Sequence, residues 1–237
     1  MNFPSWRTYL DESRSYYYSL FLILPLAAMY EVGTMYLFSN QPYELRNAAD
    51  ALLRFILEQI GVAPGYYFSI IFVGILTVVL GFGIWREKRQ PLNAMIFPMI
   101  LLESLGWGTV LFFALQFIAN LTLTIPTNHT GLVQVNLALG AGIYEELVFR
   151  VILIAALSFI LRRGFHWQDA SANWTSLLGA AVIFAGFHLF AEVFQWHIFI
   201  QRITGGILLG ALFLKRGYGV SAYSHIFYNL IILISFN

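Results

Sequence analysis

The chain has 237 residues, of which 59% are hydrophobic, 17% aromatic and only 11% charged, whereas about 25% of the residues of an ordinary soluble domain are charged. Because so few ionised side chains cannot cover the outside of a water-soluble protein, the apolar surplus must face lipid. The net charge of +1 excludes the strongly basic surface of a nucleic-acid-binding protein. The absence of Cys excludes disulfides, iron–sulfur clusters and thiol catalysis.

Seven apolar stretches are long enough to cross a bilayer, which takes about 20 residues of α-helix. In chain order they are 17–38, 66–85, 92–120, 132–161, 174–193, 196–214 and 218–235. Residues 43–62 alternate apolar and charged side chains at helical spacing, which predicts an amphipathic helix lying flat on the membrane interface. We therefore expect an all-α fold, in which residues 1–237 form a single membrane domain: a polytopic bundle of about seven transmembrane helices plus the interfacial helix.

The distribution of Lys and Arg predicts the orientation of this bundle. With the N-terminus in the cytoplasm, nine of the 13 Lys and Arg side chains fall in cytoplasmic segments, and only Arg46 and Arg54 fall outside. This bias favours a cytoplasmic N-terminus, because basic residues are enriched in the cytoplasmic loops of membrane proteins.

The fourth stretch contains Glu145, Glu146 and Arg150 within six positions. An ionised side chain at the middle of a bilayer costs roughly 3 kcal/mol, so this cluster must face the bundle interior or a wet cavity. Glu146 and Arg150 are four residues apart, on one face of an α-helix, and can form an ion pair. Glu145 is rotated by about 100° from Glu146. It is therefore left as a spare buried carboxylate, which is what a general base requires.

Two later stretches carry polar residues at the same spacing of four. Phe184 and His188 share one helix face in the fifth stretch, and His225 and Asn229 share one in the seventh. Imidazole exchanges protons near neutral pH, and an amide N–H suits a developing oxyanion. One carboxylate, two imidazoles and one amide would together suit the hydrolysis of a peptide bond.

Each of these residues also has a structural explanation when it is taken alone. A single intramembrane His bonds to another helix more often than it catalyses, the Glu146–Arg150 pair is also a brace, and Phe184 also packs. Glu31 and Glu103, in the first and third stretches, are expected to be satisfied by interhelical hydrogen bonds or protonated. The joint occurrence of the three pairs favours a functional site over these separate explanations.

The three pairs resemble the motifs of the CPBP intramembrane proteases, which include the CAAX prenyl endopeptidases of the Rce type and the bacterial Abi proteins. Residues 145–150, Glu-Glu-Leu-Val-Phe-Arg, resemble E-E-x-x-x-R; residues 184–188, Phe-Ala-Gly-Phe-His, resemble F-x-x-x-H; and residues 225–229, His-Ile-Phe-Tyr-Asn, resemble H-x-x-x-N. The resemblance covers residues 132–232 as a catalytic core and leaves residues 1–131 unassigned.

The resemblance implies an intramembrane endopeptidase and a role for each motif residue. Glu145, assisted by His188, would activate a water for attack on a peptide carbonyl. His225 and Asn229 would stabilise the oxyanion that results. The supporting residues would be Glu146, Arg150 and Phe184.

The resemblance also implies the partners and the location of the protein. Eukaryotic members remove three residues that follow a prenylated Cys. We therefore expect a peptide or protein C-terminus as substrate, with or without a lipid, together with membrane lipids and no nucleic acid. The expected location is a prokaryotic cytoplasmic membrane, which the chain crosses several times.

The motif residues allow two kinds of catalytic site, one with a metal ion and one without. Glu145, His188 and His225 would supply a two-His-one-carboxylate zinc site with an open position for water. The motif H-E-x-x-H is absent from the chain, and the resemblance favours a glutamate-dependent site without metal or cofactor.

Two further function classes compete with a protease. A proton-coupled transporter would use Glu31, Glu103, Glu145 and His188 as a relay, but such proteins usually consist of two pseudo-symmetric halves, which this sequence lacks. A catalytically silent scaffold or immunity protein would share the fold, although the intact motifs argue against it.

The depths of the motif residues conflict with a bundle of straight helices. Counting about 1.5 Å per residue from the cytoplasmic ends places His225 roughly 11 Å deep, His188 roughly 21 Å and Glu145 roughly 24 Å. We therefore expect strong tilts, helices that project into the cytoplasm, or a seventh span that begins deeper.

Overall fold

The computed structural model describes residues 3–59, 61, 74, 77–78, 92–119, 131–190 and 193–236. Within these ranges the chain forms helices and no β-strand, which confirms the predicted all-α class for this part of the chain. The predicted span 66–85 lies almost entirely outside the described residues.

Eight α-helices lie in the described ranges. They are α1 Trp6–Ser13, α2 Tyr16–Leu37, α3 Ala48–Gln59, α4 Ile96–Ala119, α5 Gly131–Gly140, α6 Ala155–Phe165, α7 Asp169–Phe187 and α8 Trp196–Phe236. Two π-helical segments, Ala141–Glu145 and Leu147–Ile154, connect α5 to α6, and a 3₁₀ turn at His188–Phe190 follows α7.

Four of the described helices are long and apolar enough to cross a membrane. They are Tyr16–Leu37, Ile96–Phe117, Asp169–Phe187 and Trp196–Ser235. Their outer faces carry exposed large apolar side chains such as Leu102 and Phe113, which would be unfavourable in water and suit lipid. The chain is therefore an integral membrane protein, while the count of seven spans and the cytoplasmic N-terminus stay predictions.

The predicted spans 196–214 and 218–235 join in one helix that breaks at Gly217. This residue has φ of 82° and ψ of −178°, a conformation that glycine adopts far more easily than other residues. A Cβ at Gly217 would lie 2.6 Å from the carbonyl oxygen of Arg14, so a side chain is excluded sterically as well. We call residues 196–216 α8a and residues 218–236 α8b.

The predicted span 132–161 is present as an unbroken run of helical turns that changes type at the motif. Its α and π segments are each shorter than a bilayer-crossing helix. π-helical turns are rare and occur frequently at functional sites. The 100° rotation expected between Glu145 and Glu146 applies to an α-helix. In the wider π-type turns both side chains are buried, with 6% and 0% of their surface exposed.

The largest apolar core lies around these two carboxylates. It unites buried side chains from α2, α3, the π segments, α7 and α8b: Ile23, Leu26, Ala27, Tyr30, Ala49, Ile143, Tyr144, Phe149, Phe184, Tyr218, Ala222 and Ile226. Helices α2 and α3 therefore pack against the same core as the motif-bearing helices.

The amphipathic helix predicted at 43–62 is present as α3, but three of the charged side chains of this stretch are largely buried. Asp50 is fully buried, and the side chains of Arg46 and Arg54 are at most 12% exposed. Both arginines pair with Glu31 of α2, at 3.1 and 3.0 Å. This confirms that Glu31 is satisfied by neighbouring segments, and its partners are arginines of the stretch that was predicted as an interfacial helix. The position of α3 at a membrane interface stays a prediction.

Glu103 of α4 is likewise satisfied by neighbouring helices. Its carboxylate accepts hydrogen bonds from Tyr9 of α1 and from Arg216, whose Nε lies 2.7 Å from Glu103 Oε1. This contact anchors α1 and α4 beside the break at Gly217.

Candidate active site

Glu146 lies between the two π segments and binds α8b. Its Oε1 accepts a hydrogen bond from Nδ1 of His225 at 2.9 Å, and its Oε2 accepts one from the hydroxyl of Ser221 at 2.6 Å. An ionised carboxylate only accepts hydrogen bonds, so the Nδ1 of His225 carries the proton in this contact. Glu146 thereby holds the proton of Nδ1 and fixes the direction of the imidazole.

Glu145 lies on the other side of the same imidazole. Its Oε2 is 4.0 Å from Nε2 of His225, which is longer than a hydrogen bond and is a separation that a bridging water spans. Its Oε1 accepts a hydrogen bond from Nδ2 of Asn47 at 2.8 Å. The predicted spare carboxylate is therefore partly engaged, by a residue that the sequence analysis did not select.

Arg150 forms the predicted ion pair with Glu146, with Nη1 3.4 Å from Oε1. Its Cζ lies 4.6 Å from the ring centre of Phe184, a cation–π contact. The guanidinium is 2% exposed, and its Nη1 and Nη2 have no hydrogen-bond partner among the described residues. We call the set Glu145, Glu146, Arg150 and His225 the motif cluster.

His188 is linked to the motif cluster indirectly. Its Nδ1 donates to the carbonyl oxygen of Phe184 at 2.9 Å, which leaves Nε2 as the acceptor of the neutral ring. Its ring packs edge-on against Phe184 at 4.7 Å, and Phe184 in turn contacts Arg150. Between the described residues His188 and Glu145 there is no hydrogen bond or ion pair, so their predicted cooperation stays a prediction.

Asn229 lies one turn after His225 in α8b and is half-buried. The spacing of four residues puts the two side chains on one helix face. Among the described side chains, Asn229 shares no hydrogen bond with the other motif residues. The structure thus joins Glu145, Glu146 and His225 directly and leaves Asn229 alongside.

A glycine determines how closely α8b approaches the carboxylates. A Cβ at Gly142 would lie 2.3 Å from Cγ1 of Ile226 and 2.6 Å from the carbonyl oxygen of Ala222. Such distances do not occur between real atoms, so the π segment and α8b touch backbone to backbone only because residue 142 lacks a side chain. This approach brings His225 next to Glu146.

Two residues of the site were missed by the sequence analysis. Ser221 lies four residues before His225, so helical spacing alone could have added it to the face that carries His225 and Asn229. Asn47 has no such signal, because it lies 98 residues from Glu145 in the chain.

The described residues contain no group of three His, Asp or Glu side chains placed to hold a metal ion. Hydrolysis without metal stays a prediction. The alternative zinc set of Glu145, His188 and His225 stays a prediction as well.

Comparison with known families assigns the motif-bearing part of the chain. Residues 127–231 match the family described as Rce1-like, Type II CAAX prenyl endopeptidase Rce1-like. The matched range nearly coincides with the predicted core 132–232 and contains all three motifs. No match was found among curated proteins or among solved structures.

Proposed function

We propose, from the match of residues 127–231 to the Rce1-like family, that the protein is an intramembrane endopeptidase that hydrolyses a peptide bond near the C-terminus of a membrane-associated substrate. The observation that supports this most strongly is the buried imidazole of His225 between two carboxylates, Glu146 at 2.9 Å and Glu145 at 4.0 Å. A carboxylate and an imidazole in a dry interior are suited to move a proton at a reacting atom.

In the proposed reaction Glu145 is the general base. A water between Oε2 of Glu145 and Nε2 of His225 gives a proton to Glu145 while its oxygen attacks the substrate carbonyl carbon. In this scheme His225 enters the reaction with a proton on each ring nitrogen: Nδ1–H binds Glu146, and Nε2–H, together with the amide of Asn229, stabilises the oxyanion that the carbonyl oxygen becomes. When the C–N bond breaks, Glu145 returns its proton to the leaving amine.

The remaining motif residues have supporting functions in this scheme. Glu146 orients His225 through Nδ1, as second-sphere carboxylates orient catalytic imidazoles. Arg150 neutralises Glu146 and is itself held against Phe184. His188 presents its Nε2 as a second acceptor for the water, as the resemblance implies.

The proposed substrate is a C-terminal Cys-aliphatic-aliphatic-X peptide that carries a prenyl group. The family description supports this class, and the exposed apolar faces of the spans provide a surface on which a prenyl chain stays out of water. A proton-relay transporter is not favoured, because the carboxylates of Glu31 and Glu103 are ion-paired with arginines.

The test uses the full chain in detergent with a farnesylated peptide whose fluorophore and quencher flank the bond after Cys. Glu145→Gln keeps the shape of the side chain and removes the base, so turnover should fall by at least about 10²-fold. The exposed Glu58→Gln is the matched control and should keep wild-type turnover.

Three further results complete this test. Wild-type turnover in Glu145→Gln would remove the proposed base. Equal cleavage of the unprenylated peptide would remove the lipid from the substrate class. A chelator should leave turnover unchanged. If the chelator instead abolishes turnover and added zinc restores it, the protein is a metal enzyme.

A further inference from the structure

Asn47 connects the first part of the chain to the proposed base. It directly precedes α3 and is buried. Its Oδ1 accepts a hydrogen bond from the backbone N–H of Ala49 at 2.9 Å, while its Nδ2 donates to Oε1 of Glu145 at 2.8 Å. One side chain therefore binds both the start of α3 and the carboxylate of Glu145, although residue 47 lies outside the family match at 127–231.

The backbone of Asn47 is fixed by α2 and by the approach of α5. Its N–H donates to the hydroxyl of Tyr30 at 3.0 Å, and that hydroxyl donates to Asp50 at 3.0 Å. A Cβ at Gly140, five residues before Glu145, would lie 2.9 Å from Cβ of Asn47 and 2.6 Å from the ring of Tyr30. The close contact between Asn47 and the motif-bearing helix is therefore possible only because residue 140 is a glycine.

A second charged cluster holds α3 in place. It consists of Glu31 of α2 with Arg46, Asp50 and Arg54, and we call it the clamp. Nη1 of Arg46 lies 3.0 Å from Asp50, Nε of Arg54 lies 2.8 Å from Asp50, and both arginines reach Glu31. Burial opposes the charge of Arg46, but the carboxylates of Glu31 and Asp50 outweigh it and hold the pKa of Arg46 above its ordinary value. The start of α3, with Asn47, is therefore a fixed platform.

We propose that Asn47 is a positioning residue that selects the oxygen with which Glu145 acts. By occupying Oε1 it leaves Oε2, which faces Nε2 of His225, as the oxygen that takes the proton from water. The inference rests on the proposed function of Glu145 as base. It adds that a residue from the part of the chain outside the family match completes the active site.

Two substitutions separate this function from simple capping of α3. Asp and Ser replace Asn well at the start of a helix, since each supplies an oxygen that accepts the N–H. Neither supplies the amide donor to Glu145. Asn47→Asp has the same shape and places a second carboxylate oxygen against Oε1, whereas Asn47→Ser is too short to reach it.

The experiment measures kcat and KM of the full chain with the farnesylated peptide, together with thermal unfolding in detergent. We expect kcat to fall about tenfold in Asn47→Ser and about 100-fold in Asn47→Asp, because the loss of a hydrogen bond to a charged group changes an equilibrium or rate constant by about ten- to 100-fold. KM should stay within about twofold, and the unfolding midpoint of Asn47→Ser should be preserved, because the capping oxygen remains.

The matched control is Asn136→Asp. Asn136 is another buried Asn, and its Nδ2 donates to the hydroxyl of Thr34 at 2.8 Å, away from Glu145. This variant should keep the wild-type kcat, whatever its effect on the unfolding midpoint.

Two results would overturn the inference. Wild-type kcat in both Asn47 variants would show that the bond to Glu145 does not matter, and a fall in kcat that follows the unfolding midpoint would make Asn47 structural only. Glu145→Gln, measured in parallel, separates the two proposals. If that variant is inactive while both Asn47 variants are fully active, only the inference fails; if it is active, the proposed function fails.

Discussion

The motif cluster and the clamp are both buried and charged, but their polar atoms are paired to different degrees. In the clamp, two arginines bridge two carboxylates at 2.8–3.1 Å, and Tyr144 adds a bond to Glu31 at 2.8 Å. In the motif cluster, two nitrogens of Arg150 lack hydrogen-bond partners and Glu145 stands 4.0 Å from His225. Buried polar groups are normally satisfied, so the incompletely paired cluster is the one where a water and a substrate have atoms to bind.

The comparison predicts that substitutions in the clamp act on stability and substitutions in the motif cluster act on turnover. The two clusters also differ in where they lie relative to the family match. The motif cluster lies in the range 127–231 that matches the family, and the clamp lies outside it.

The largest expected effect is that of Glu31→Ala on stability. Removal of this carboxylate leaves Arg46 and Arg54 without one of their two buried partners, and breaking a buried ion pair from one side costs about 3–5 kcal/mol. The free energy of unfolding in detergent should fall by this amount, with turnover per folded molecule changed much less. The exposed Glu44, which also contacts Arg46, offers the control Glu44→Ala, which should cost less than about 1 kcal/mol. Equal effects of the two substitutions would contradict a structural clamp.

A smaller effect, on turnover, is expected for Glu146→Gln. The amide keeps the shape and one acceptor oxygen, but it carries no negative charge and therefore neither holds the proton of His225 Nδ1 as strongly nor balances Arg150. We expect kcat to fall about 10–100-fold, as second-sphere substitutions typically do. Measuring kcat against the folded fraction is essential, because the change also affects a buried ion pair. A variant with full kcat would show that the bond from His225 to Glu146 does not orient the imidazole.

Hydropathy and helical spacing predicted much of this structure. The stretches 17–38 and 92–120 are present as α2 and α4, since a bilayer demands about 20 apolar residues in a row. The Glu146–Arg150 pair follows from a spacing of four. The gap predicted between 214 and 218 coincides with the break at Gly217.

Contacts between distant segments, by contrast, could not be obtained from the sequence. The π segments have no sequence signature, yet they bury both Glu145 and Glu146. The depth count kept Glu145 far from His225 because it assumed straight helices, whereas the structure places them 4.0 Å apart. Asn47 reaches Glu145 because α3 packs against the π segment Ala141–Glu145, which no local pattern encodes.

The most direct test of the central claim, that Glu145 and His225 act on one water, is a double-mutant cycle on turnover of the farnesylated peptide. It compares Glu145→Gln, His225→Ala and the double variant, with unfolding midpoints measured for each. Residues that act as a unit are strongly non-additive, so the double variant should be no slower than the slower single variant. If the loss of turnover in the double variant equals the product of the losses in the two single variants, the two residues act independently and the account is wrong. Wild-type turnover in either single variant would contradict it as well.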